Sequence, residues 1–154
     1  LDDKMVTFNF NTLTISDDEM NIAADILGIY VKNQKALNHS INDGLNASCL
    51  KLLQNELALN SLELSQLLNV SIRTLSRRKS SGKLNKNESQ RVFLLTIMIV
   101  IANKVLGDHG SALRWLKSPK KALNGISPLE HAKSDQKIEQ LINMLHQIEH
   151  GIFL

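Results

Sequence analysis

Residues 61–79 read SLELSQLLNVSIRTLSRRK, and their spacing decides the fold. Asn60 is placed to cap a helix, with Glu63 at the reciprocal position of a capping box. Leu64, Leu67 and Leu68 fall on one face of that helix and point inward. Ser65 is small and lets a crossing helix approach. Asn69 tolerates the left-handed backbone that a tight inter-helix turn demands. Val70 is the apolar anchor of the turn, and Ser71 suits the cap of a second helix. That helix places Ile72 and Leu75 inward and turns Arg73, Thr74, Arg77 and Arg78 outward. A short helix, a turn of about three or four residues and a second helix with an arginine-bearing outer face form a helix-turn-helix pattern.

The outer face suits nucleic acid. Arginine bonds bidentately to guanine edges, and hydroxyls and backbone N–H groups at a helix N-terminus hold phosphate. The candidate DNA-contacting residues are Ser71, Arg73, Thr74, Arg77, Arg78 and Lys79. The charge distribution points the same way. The net charge is only +3, from 18 basic and 15 acidic side chains. Residues 61–91, however, carry seven basic groups against Glu63 and Glu88, whereas residues 1–60 carry four basic and eight acidic. Such a basic block faces anions, most often nucleic acid. A solvated basic face on an αα-hairpin that binds no DNA has the same composition and stays open at this point.

Helical spacing continues on both sides. Ser16, followed by Asp17, Asp18 and Glu19, is a capping site, since acidic groups favour a helix N-terminus. Behind it Ile22, Ile26, Ile29 and Tyr30 recur at helical steps. Asn38–Asn46 is polar, contains Gly44 and reads as a loop. Leu50, Leu53, Leu57 and Ala58 predict a helix from Ala47. Val6–Ile15 (VTFNFNTLTI) alternates, but an isolated strand is marginal, so the fold class is all-α. Val92–Ala102 (VFLLTIMIVIA) is an apolar run of 11 residues, about half of what a bilayer core requires. It predicts a helix buried on nearly all sides. Leu1–Lys4 (LDDK) read as residues ahead of a start at Met5.

The C-terminal third has a different texture. Ser111–Gly125 reads SALRWLKSPKKALNG, and Pro128 after Ser127 suits the first turn of a short helix. A last amphipathic helix opens at Ser134 and Asp135 and carries Ile138, Leu141, Ile142, Leu145 and Ile148 on one stripe. Burying each of these is worth about 1.5–3 kcal/mol, in the chain's own core or in a dimer seam. A helix-turn-helix protein that reads two half-sites normally dimerises. Gly151 closes the helix, and Ile152, Phe153 and Leu154 form an apolar tail that folds back or meets a partner. Trp115, the one tryptophan, reads first as a core anchor.

Several classes of function are disfavoured. The 154 residues allow one domain or two small lobes with a real core. The single cysteine, Cys49, excludes an internal disulfide and a four-cysteine zinc site and fits a reducing cytoplasm. Its apolar helical context suits a buried, inert thiol. Gly107–Gly110 (GDHG) is too short for a phosphate loop and lacks a preceding strand. His146 and His150 share the helical spacing of zinc hydrolases, but Gln147 replaces the motif's glutamate and no third ligand is evident. No enzyme activity, cofactor or metal is expected.

Three stretches carry a family resemblance: RTLSRRKSSGKLNKNESQRV (73–92), GDHGSALRWLKSPKKALNGISPLE (107–130) and a helix ending IEHGIF (148–153). Together they resemble the Xre/MbcA/ParS-type antitoxins, the partners of RES-domain toxins. The resemblance covers residues 45–154. Its most specific part is the succession Trp115-Leu116, Pro119, Ala122-Leu123, Gly125 and Pro128-Leu129. It implies an Xre-like helix-turn-helix DNA-binding domain at 45–106 that represses its own operon. It further implies a toxin-binding domain at 107–154 that covers the entrance to the toxin's active site. Residues 1–44 are a partly helical segment outside the match.

RES toxins degrade NAD or use it for ADP-ribosylation, so the resemblance implies a cytoplasmic inhibitor and not an enzyme. By position, the DNA-reading helix is Ser71 to Lys79. The toxin-binding residues are Trp115, His150, Gly151, Ile152, Phe153 and Leu154. The implied partners are a cognate RES-domain toxin and operator DNA, in a homodimer or a toxin–antitoxin hetero-oligomer, with no membrane. Lys120 and Asn124 stand where asparagine and glycine are expected, and Asp135–Glu139 (DQKIE) lacks the glycine common in that turn. The alternative is a stand-alone helix-turn-helix transcription regulator with a dimerising C-terminal domain.

Overall fold

Every residue from Val92 to Ala102 is buried in the computed structural model, which describes residues 5–7 and 13–151. In chain order the described elements begin with strands β1 (Met5–Thr7) and β2 (Thr14–Ser16). Helices α1 (Asp17–Ile26), α2 (Gln34–Asp43), α3 (Ser48–Glu56), α4 (Ser61–Leu67) and α5 (Ile72–Ser81) follow. The long α6 (Lys86–Leu106) leads to α7 (His109–Lys117), a 3-10 turn (Lys121–Leu123), α8 (Pro128–His131) and α9 (Asp135–Glu149).

The apolar run lies in α6, and α1, α2, α3, α7 and α9 pack around it. A helix enclosed in this way has no polar stripe to keep. Its two buried hydroxyls are satisfied close by. Thr96 donates to the Val92 carbonyl at 2.8 Å. Ser89 donates to the Asn85 carbonyl and accepts from the Leu45 N–H, both at 2.8 Å. Among the described residues α6 alone is long and apolar enough to cross a membrane, but 67% of that window is buried by the rest of the protein. It is a core helix.

The helical architecture agrees with the expected class, with several local corrections. Val6–Ile15 does not yield an isolated strand: β1 and β2 pair antiparallel, with Val6 opposite Ile15. Asn38–Asn46 is largely helix. Asn33 caps α2 by accepting from the Ala36 N–H at 2.8 Å, and Leu37 and Ile41, one turn apart, are both buried. Two apolar residues at helical spacing outweigh the polar composition around them. The chain leaves α2 at Gly44 with φ +114°, where a Cβ atom would run into the Leu84 carbonyl oxygen.

On α1 the buried side is Met20, Ala23 and Ala24, continued by Leu27. Ile22 is therefore exposed, and Tyr30 is 81% exposed. Two alanines let α1 lie close to α6, whereas the isoleucine spacing suggested the neighbouring face. Ala58 lies beyond the end of α3 with a positive φ of 52°. The stripe of α9 is spent within the chain: Ile138, Leu141, Ile142 and Leu145 are buried, α9 packs on α6, and Ile148 is half-buried. It leaves no apolar seam of that size on α9 for a dimer.

Candidate functional site

The α4–α5 motif is built by short-range capping. Asn60 accepts from the Glu63 N–H at 2.8 Å, and the Glu63 carboxylate accepts from the Asn60 N–H at 2.9 Å. Leu64, Leu67 and Leu68 are buried, and Ser65 is buried with its hydroxyl donating to the Leu62 carbonyl. Asn69 adopts the left-handed conformation, φ +55°. Val70 packs against the core from the turn. Ser71 Oγ accepts from the Thr74 N–H and donates to Thr74 Oγ1, both at 3.0 Å. Leu75 is the one buried residue of α5.

Ile72 differs from expectation: it is 49% exposed. It stands at the first position of α5, where side chains lean back toward the helix start, and Val70 packs inward from the turn.

The six candidate DNA contacts divide into three pairs. Arg73 and Arg77 are exposed and form no side-chain hydrogen bond or ion pair with any described residue. Ser71 and Thr74 are occupied with each other at the cap. Arg78 turns back on the protein: its Nε reaches both carboxylate oxygens of Glu88, at 3.0 and 3.1 Å. The same carboxylate accepts from the Asn85 N–H and completes the capping box of α6. Lys79 Nζ donates to Gln54 Oε1 at 3.0 Å.

The turn, the first helix and the loop that leads into it are fastened to the C-terminal third. Asn69 Nδ2 donates to the Lys133 carbonyl at 3.0 Å, and Lys117 Nζ to the Ala58 carbonyl at 2.7 Å. Arg91 Nε donates to Asp135 Oδ1 at 2.6 Å and its Nη1 to the Leu67 carbonyl at 3.2 Å. No sequence signal marks these pairs, because their members are tens of residues apart and no local pattern couples them.

In the C-terminal third, Asp108 caps α7 by accepting from the Ser111 N–H at 2.7 Å. This bond, with that of the Ser111 hydroxyl, holds the Asp108 carboxyl below the usual aspartate value. Trp115 is half-buried and packs against the core, as expected of an anchor, and Lys120 Nζ lies 5.4 Å from its ring centroid. Beyond it the chain reverses: the Lys120 N–H meets the Ile126 carbonyl, and Asn124 takes φ +58°. Asparagine serves the left-handed position where glycine was expected. Ser127 and Glu130 form a capping box with Pro128 in the first turn of α8.

At the other end of α9, Lys104 joins three helices, with Nζ 3.2 Å from Glu19 and 3.6 Å from Glu149. The hydrogen bond with the buried Glu19 raises the lysine pKa. For Glu149, burial pushes upward, but His146 and Lys104 outweigh it and the carboxyl titrates low. His150 and Gly151 are exposed, with Gly151 at φ +81°. Ile152, Phe153 and Leu154 lie outside the described residues. Cys49 is buried, which pushes its thiol up to about 12, so it carries no nucleophile at neutral pH.

The fold and these surfaces define a helix-turn-helix protein carrying a second, helical domain built on the same long core helix. Two family models match in tandem. The antitoxin Xre-like helix-turn-helix domain matches residues 36–96, and the antitoxin Xre/MbcA/ParS C-terminal toxin-binding domain matches residues 102–151. Antitoxin Xre of Pseudomonas putida KT2440 is 34% identical over 112 residues, covering 72% of this chain and 69% of that protein. Antitoxin Xre of Photorhabdus laumondii is 29% identical over 118 residues, covering 75% and 80%. Among solved structures, a chain of the M. tuberculosis MbcT–MbcA toxin–antitoxin complex matches with a TM-score of 0.52 and 20% identity. The match covers 70% of this chain and 96% of that one, and it bears on the fold. The chain belongs to the Xre/MbcA/ParS antitoxin family.

Proposed function

We propose that this chain neutralises a RES-domain, NAD-consuming toxin and represses its own operon. In this reading residues 107–154 bind the toxin and cover its active site. Residues 45–106 bind operator DNA through α5, in the cytoplasm, while α1 and α2 of the N-terminal segment pack on α6. The observation that carries the reading is the tandem of a helix-turn-helix model and a toxin-binding model along one chain. The solved chain of similar fold comes from a toxin–antitoxin complex, which supports a toxin as partner.

Within the candidate DNA set, Arg73 and Arg77, which have no partner among the described residues, are the strongest contacts, and Ser71 and Thr74 present the helix start to phosphate. Arg78 and Lys79 set the helix in place and add positive charge. On the toxin side the contacts are Trp115, His150 and Gly151, continued by Ile152, Phe153 and Leu154. The assembly is a homodimer or a toxin–antitoxin hetero-oligomer.

The test is co-expression with the neighbouring open reading frame, scoring growth and cellular NAD. A neighbour that is toxic alone, lowers NAD, and is silenced and retained by this chain through purification is the expected result. A harmless neighbour that does not co-purify would return the chain to a free-standing regulator. Deleting residues 151–154 is expected to weaken neutralisation more than DNA binding; equal loss of both would refute a blocking tail.

A further inference from the structure

Ile72 is half-open to solvent at the first position of a helix whose inward side is already served by Leu75, with Val70 packing from the turn. A branched apolar side chain gains nothing from water there. Around the open side of the first two turns it stands with Arg73, Ser76 and Arg77, all exposed. The two arginines have no described partner, whereas Arg78 and Lys79 are held by Glu88 and Gln54.

The N-terminal residues of the second helix in this motif are the ones that meet base edges in the major groove. On those edges the apolar feature is the thymine 5-methyl group. An apolar protein partner seated on Ile72 would leave two desolvated guanidinium groups beside it, a costly arrangement. A groove walled by phosphate would not. From this juxtaposition we infer that Ile72 reads a thymine methyl in each operator half-site, with Arg73 and Arg77 making the polar contacts on either side. The inference rests on the operator-binding reading above and adds to it an apolar specificity residue.

The test uses the full chain and the DNA upstream of its own gene, with the bound site mapped by footprinting. Each thymine of the site is then replaced in turn by deoxyuridine, which removes the methyl group alone. The wild-type chain is expected to lose about four-fold in affinity at one thymine per half-site, the worth of one buried methyl group. Ile72→Ala is expected to bind thymine and uracil equally at that position, and Ile72→Val to keep part of the preference. Because Ile72 packs little, both variants should melt with the wild type.

Uracil substitution without effect at every position, or a preference undiminished in Ile72→Ala, would overturn the inference while leaving operator binding intact. Failure of the wild-type chain to bind that DNA at all would overturn both, and it is seen before any thymine is replaced.

Discussion

Arg91 and Asp135 form a 2.6 Å ion pair between the middle helix of the fold and the first residue of α9. The same guanidinium bonds the carbonyl of Leu67, the last residue of α4. A cation thus sits at one helix C-terminus and an anion at another helix N-terminus, each where the helix dipole favours it. Arg91→Ala removes both contacts from a largely buried position. We expect a loss of about 1.5–3 kcal/mol, the range for hydrogen bonds to charged groups, read as a lower midpoint in urea unfolding. Asp135→Asn should cost less, because the Leu67 contact survives. An unchanged midpoint for Arg91→Ala would refute the clamp.

The arginines of α5 should separate by phenotype. Arg73→Ala and Arg77→Ala should each weaken operator binding, by about 1–3 kcal/mol where the side chain reads a base, with no change in melting temperature. Arg78→Ala should lower the melting temperature, because Glu88 is only 11% exposed and loses its cation. A dimer that neutralises about six phosphates should show a slope of about −5 in log K against log salt. Operator affinity unchanged from wild type in both the Arg73 and the Arg77 variant would remove α5 from the groove.

Asp108 predicts an acid-side dependence. Its carboxyl pKa is lowered in the folded chain, first by the Ser111 N–H and then by the Ser111 hydroxyl. The stability it contributes is therefore full above the ordinary aspartate value and is lost as pH falls through the lower folded value. Asp108→Asn keeps a side-chain oxygen for the cap but cannot titrate. Wild type should exceed the variant at neutral pH and converge on it below about pH 4. Parallel pH profiles in urea unfolding would contradict this.

Cys49 should be silent until the protein opens. With the thiol raised to about 12 and the side chain buried, iodoacetamide at pH 8 should leave the native chain unmodified. In urea the thiol returns to its ordinary range of about 8.5, and labelling should follow the unfolding curve. Rapid native labelling would place Cys49 outside the core.

Much of this fold was readable residue by residue, for a physical reason: caps and turns are short-range. Asn60 with Glu63, Asn69 in the left-handed turn, Ser71 at the start of α5 and Ser127 with Pro128 all act within about four residues. The run at 92–102 was equally legible, because no polar stripe interrupts it. The misread stretch at 38–46 shows the opposite case. Its polar letters suggested a loop, yet Leu37 and Ile41 hold it as a helix once α6 is there to cover them.

The sequence by itself determined the helical class, the helix-turn-helix motif, the buried central helix and the family. Only the tertiary structure decided which apolar residues stay outside, such as Ile22 and Ile72, and that the stripe of α9 is used within the chain. It also decided which basic residues of α5 lack a described partner, since Arg78 is claimed by Glu88 and Lys79 by Gln54, ten and 25 residues away. Capping is settled by neighbours along the chain. The burial of a helix face and the pairing of a long cation are settled by whatever packs against them, and that is known only once the helices are assembled.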